Sequence, residues 1–97
     1  MKKLTKKERH SIYVLALVKY KRRIEEGLHF GLCDAIEGAA WKIFGWDNYP
    51  DPYDNMEGYP EIAKYKAEGD GTYWFSKHGD GIQKRINILE QAIKETE

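Results

Sequence analysis

The sequence predicts a mainly α fold, a compact single domain over residues 1–97 with four helices, the third short, and two long aromatic-rich loops. Three observations carry this. Apolar residues recur at helical spacing in three segments, a threonine–glutamate capping pair precedes the first of them, and proline, glycine and aspartate collect between the second and the last.

Thr5-Lys6-Lys7-Glu8 fits a capping box, so the first helix begins there. Tyr13, Leu17, Tyr20 and Ile24 follow the spacing of one helical face, and Gly27 is placed to end the helix in a left-handed cap. Val14, Leu15 and Val18 widen the apolar stripe, which suits a helix that is central in the domain or shared with a second subunit. A buried strand over Ile12–Val18 is the competing reading, because short apolar runs are ambiguous by periodicity. The second helix runs from Phe30 to Phe44, with Leu32, Ile36, Ala39 or Ala40 and Ile43 on one face and Gly45 at its end. Gly38-Ala39-Ala40 places three small residues at its middle, where another helix can approach closely.

Residues 46–58 hold two prolines, five Asp or Asn and three aromatics, a composition that breaks regular structure and predicts a long ordered loop. Tyr59-Pro60-Glu61 then starts a short helix, proline at its permitted first position, running to about Lys66. A second loop, residues 69–81, carries Tyr73-Trp74-Phe75 among glycines and aspartates. Asp80-Gly81-Ile82-Gln83 resembles a capping signature, and Ile82, Ile86, Leu89 and Ile93 make the stripe of the last helix. Burying four such side chains is worth on the order of 6 to 12 kcal/mol gross.

Composition bounds the function. Hydrophobic residues at 41% and charged residues at 33% are globular proportions. The single Cys33 cannot close an internal disulfide, which suits a reducing, cytoplasmic setting. The longest apolar run has seven residues, against roughly 20 for a membrane-spanning helix, so no membrane partner is expected. Net charge is zero, but residues 1–23 hold nine bases and one acid while residues 24–97 hold seven bases and fifteen acids. The first helix is therefore attracted to the remainder, within a subunit or between subunits, or presents a basic surface at Lys19, Lys21, Arg22 and Arg23 that can meet phosphate.

Metal and cofactor chemistry find no pattern. Asp47, Asp51 and Asp54 share a loop, but Tyr49 and Pro52 occupy places where a calcium loop needs its ligands and glycine, and an Asx-turn loop is the plainer account. One Cys and three scattered His lack zinc spacing. His29 and Cys33 stand four apart, as a thiol and its base would, yet Cys33 lies beside an apolar face where free cysteine behaves as a small hydrophobe, so no enzymatic activity is expected.

Binding features are stronger. Three Trp and seven Tyr supply large rigid contact area. Trp46, Tyr49, Tyr53, Tyr59, Tyr73 and Trp74 are placed to line a cleft, with Lys77, Lys84 and Arg85 nearby for an anion, a set suited to stacking plus charge. Sealing the open end of a small helical core is the structural alternative for the same rings. Nucleic-acid binding through the basic first helix has no recognised motif behind it.

The order Gly31-Leu32-Cys33, Tyr59-Pro60-Glu61-Ile62, Tyr73-Trp74-Phe75, Arg85-Ile86-Asn87-Ile88-Leu89 and Ala92-Ile93, over about residues 28–95, resembles a set of small uncharacterised proteins of bacteriophages and prophages, many from gut bacteria. Members often carry Trp-Trp-Pro where this chain has Trp74-Phe75-Ser76. The resemblance transfers no catalytic residue. It implies an accessory protein acting by binding, often as an oligomer, in a bacterial host. The expected ligand is an anionic, nucleotide-like small molecule held by Trp46, Tyr49, Tyr53, Tyr73, Trp74, Lys77 and Arg85; the alternatives are an adaptor or inhibitor of a host protein, and nucleic-acid binding through the first helix.

Overall fold

In the computed structural model, residues 3–28, 31–46, 48–66 and 80–97 are described. They form α1 (Lys6–Glu25), α2 (Leu32–Phe44), a single 3-10 turn (Met56–Gly58), α3 (Pro60–Lys66) and α4 (Asp80–Glu95). No strand occurs among the described residues, so the strand alternative for Ile12–Val18 gives way to helix.

Local chemistry sets the ends of α1. The Thr5 hydroxyl accepts from the Glu8 N–H at 3.1 Å while the Glu8 carboxylate accepts from the Thr5 N–H at 2.9 Å, the reciprocal capping box read from the sequence. At the other end Gly27 takes φ +81°, its N–H reaching the Ile24 carbonyl and the Leu28 N–H reaching that of Arg23. That pair of bonds is a Schellman closure, which needs the left-handed residue that glycine supplies without a Cβ penalty. In α2 the Asp34 carboxylate accepts from the Gly31 N–H at 3.0 Å, so the helix starts two residues later than the apolar pattern begins.

α1 is the central element, packed against both α2 and α4, and α3 lies against α4 and the 3-10 turn. Its buried positions are Ile12, Tyr13, Ala16 and Tyr20, whereas Leu17 and Ile24 flank the core and Val14 and Val18 are exposed. From α2 come Leu32, Cys33, Ala35, Ile36, Ala39 and Ala40; Ile43, read as part of that face, is exposed. Ala39 and Ala40 are enclosed, as close packing requires. Gly38 is not part of that contact, since a Cβ built on it meets nothing within 4 Å.

The four-residue stripe of α4 is displaced. Leu89 is fully buried, but Ile82, Ile86 and Ile93 are only packed against the core's edge, and the centre of the buried face is Arg85, Ile88, Leu89 and Ala92. Arg85 is 0% exposed and donates from Nη1 to the Tyr20 hydroxyl of α1 at 2.8 Å. Helical side chains lean towards the preceding turn. Its guanidinium accordingly lies over Gly81, where an alanine Cβ would stand 2.6 Å from Nη2.

Three core phenols follow one rule: the ring fills apolar volume and the hydroxyl is given a polar partner. Tyr20 accepts from Arg85, Tyr59 donates to the Pro50 carbonyl at 2.7 Å, and Tyr13 donates to Glu61 Oε1 at 2.8 Å. Glu61 also receives Arg9 through Nε at 2.9 Å and Nη2 at 3.0 Å, a two-point pairing that fastens α3 to the start of α1. Arg9 Nη1 donates to the Leu4 carbonyl as well. Part of the basic excess of the first helix is thus neutralised within the chain. Burial first, then the bond to Glu61, push the Tyr13 phenol far above its usual range, so it remains a donor.

The loop between α2 and α3 is ordered by its own polar groups. Asp51 Oδ1 accepts from the Tyr53 N–H at 2.9 Å, an Asx turn, and the Cys33 thiol donates weakly to the Pro52 carbonyl. Gly58 passes against the Pro50 ring, where an alanine Cβ would lie 2.6 Å from Cβ and 2.8 Å from Cγ. Because a proline ring cannot swing aside, Gly58→Ala is expected to cost about 1 to 3 kcal/mol. A urea midpoint equal to that of the wild type would show that the loop does not pack in this way.

Candidate basic and aromatic groove

The exposed side of α2 carries Gly38, Trp41 and Lys42, neighbours at helical spacing. Across from them α1 presents Lys19 and Arg23, one turn apart. These five residues line a groove of about 550 Å³, within the 300 to 1,000 Å³ typical of ligand sites. Gly38 leaves the groove without a side chain at that position. Three cations, with no acid among the described lining residues, give it a positive potential.

Trp41 is 55% exposed and Trp46 is 75% exposed, and the two indoles meet edge to face, centroids 6.1 Å apart at 71°. An edge-to-face pair is a favoured arrangement of ring quadrupoles and holds each indole against the other. The result is a supported apolar ridge beside a cationic groove. Arg22 and Arg23 also lie in the last turn of α1, where cations complement the helix dipole.

The structure divides the residues that the sequence groups together. Lys19 and Arg23 join the groove, whereas Lys21 and Arg22 are exposed outside it. Trp46 reaches the ridge. Tyr53 is 42% exposed and its hydroxyl donates to Asp34; desolvation first, then this bond, drives the phenol well above its usual range. Tyr49 is only 6% exposed and Tyr59 is fully buried, so these rings belong to the core. Arg85, read as an anion contact near the aromatic loops, is enclosed between α4 and α1 because its guanidinium bonds Tyr20 instead of facing solvent. Lys84 lies on another surface, in a groove with Lys64 and Tyr65. Tyr73, Trp74 and Lys77, with the second aromatic loop up to residue 79, lie outside the described residues, as does His29, whereas Asp80 and Gly81 begin α4. Cys33 is buried.

Trp41, Gly38 and Lys42 were missed by sequence reasoning. The signal was present: an indole three residues from a glycine and adjacent to a lysine, on the side of α2 opposite Ile36 and Ala40. Among the described residues there is no group of three or more His, Cys, Asp or Glu able to hold a metal ion, and no helix is long and apolar enough to cross a membrane. Comparisons with protein families, curated proteins and solved structures found no match.

Proposed function

We propose that this protein is a non-enzymatic binding protein for an anionic, nucleotide-like small molecule, held in the groove between α1 and α2. The observation that carries this reading is the convergence of Lys19, Arg23 and Lys42 on a groove walled by Trp41, itself braced by Trp46. Stacking of a base on an aromatic side chain is worth about 1 to 3 kcal/mol, and the cations take the phosphate. The ligand sits on helix faces and not in the loop cleft expected from the sequence. The phage resemblance is consistent with an accessory protein that sequesters or senses such a molecule.

The test is a thermal-shift and tryptophan-fluorescence screen against nucleoside mono-, di- and triphosphates, with the bare nucleosides and inorganic phosphate as controls. A binder at a hundredfold excess over Kd is stabilised by about 2.7 kcal/mol. Gly38→Leu puts a side chain into the groove at a position where an added Cβ meets nothing within 4 Å and helix propensity improves, so it is expected to abolish the shift while leaving the melt of the free protein unchanged or higher. Absence of any shift at millimolar ligand, or a shift that Gly38→Leu leaves intact, overturns the reading. The exposed Trp41, Ile43, Trp46 and Tyr53 favour a host-protein adaptor as the second reading. An adaptor shows no nucleotide shift and loses its partner in Trp46→Ala.

A further inference from the structure

Trp46 also borders a cleft of the opposite charge. This smaller cleft of about 170 Å³ is lined by Glu37 of α2 and by Trp46, Tyr49 and Asp51 of the following loop. Two of these are aromatic rings and the other two are carboxylates, with no base among the described lining residues. Tyr49, buried against the core, gives the cleft a fixed wall, while Trp46 is held by its contact with Trp41.

We propose that this cleft is a binding site for a small alkylammonium ion, such as a quaternary ammonium head group. The proposal does not rest on the nucleotide reading: Trp46 borders both, but the other lining residues and the charge of the ligand differ. Calcium and magnesium need six or more oxygen ligands and hold their hydration tightly, which two carboxylates and two rings do not replace. An organic ammonium is weakly hydrated, is attracted to the electron-rich faces of Trp and Tyr, and gains from nearby carboxylates without a fixed coordination geometry. The volume lies below that of ordinary ligand pockets, which favours a compact head group over a larger molecule.

The experiment titrates the full chain with tetramethylammonium and choline at constant ionic strength, following tryptophan fluorescence and the N-methyl proton resonance. Saturable quenching, with an upfield ring-current shift of the N-methyl signal, is expected. The neutral isostere 3,3-dimethylbutan-1-ol should give neither. Glu37→Gln, a change on a helix surface, should weaken binding about fivefold or more, as loss of roughly 1 kcal/mol implies. Trp46→Ala should abolish the ring-current shift while the thermal melt is retained, because Trp46 is largely exposed. No saturation, equal binding of the neutral isostere, or unchanged binding in both variants would overturn the proposal.

Discussion

Arg85→Ala is expected to lower the unfolding free energy by about 3 to 5 kcal/mol, a large part of the roughly 5 to 15 available to a small domain. Two losses combine. The side chain is wholly enclosed, so truncation leaves a cavity between α4 and α1, and the bond from Nη1 to the Tyr20 hydroxyl disappears in a setting where water cannot readily replace it. For a chain of this size the melting temperature should fall on the order of 20 °C. Arg85→Met separates the two losses, because it keeps most of the volume and removes only the charge and the bond; it should lie well above Arg85→Ala. Gly81→Ala should destabilise too, although alanine is the better helix former, since its Cβ would meet the guanidinium at 2.6 Å. A near-native melt for Arg85→Ala would mean that the arginine is not in the core at all.

The second large effect belongs to Glu61. Its carboxylate takes Arg9 at two points and the Tyr13 hydroxyl at a third, and both members of the ion pair are mostly enclosed, with side chains 16% and 12% exposed. Glu61→Ala leaves a guanidinium and a phenol without this acceptor and should cost about 2 to 3 kcal/mol. The exposed Lys64–Glu95 pair is the internal control: surface pairs of this kind contribute about 0 to 1 kcal/mol.

The same cluster sets an acid limit on stability. Burial is the largest single influence on the Glu61 carboxyl and would raise its pKa, but the bonds from Arg9 and Tyr13, with a backbone bond and the Arg9 charge, outweigh it and hold the group below its usual 4.5. A carboxyl depressed in the folded state contributes stability that is fully present above about pH 4.5 and is lost as the pH falls through the folded value. Melts of the wild type and Glu61→Gln between pH 7 and pH 3 should therefore differ most near neutrality and converge in acid. A gap that stays constant over this range would show that ionised Glu61 is not what holds α3 to α1.

Much of the helical framework was legible because its signals are local. The capping box at Thr5 and Glu8, the left-handed Gly27 and the proline at the head of α3 each act within a turn or two of chain, and each appears where its residues stand. The face of α4 was misread by its chemistry. An arginine at the centre of a buried face is invisible to a search for apolar periodicity, so the stripe was drawn through Ile82, Ile86 and Ile93 at its edge. Val14 and Val18 show the converse, apolar residues left in solvent.

The candidate site was legible only in parts. Surplus aromatic rings and a basic first helix were visible, but not which ring would stand beside which cation. Tyr49 and Tyr59 entered the core, Tyr59 with its ring centroid 6.4 Å from that of Tyr13 of α1, and Trp46 remained outside beside Trp41. Caps and periodicity depend on neighbours along the chain and can be read from it. Joining Lys19 and Arg23 to Trp41 and Lys42 required two helices to meet, and burying Arg85 required Tyr20 to arrive from another element, because charge and exposure depend on neighbours in space.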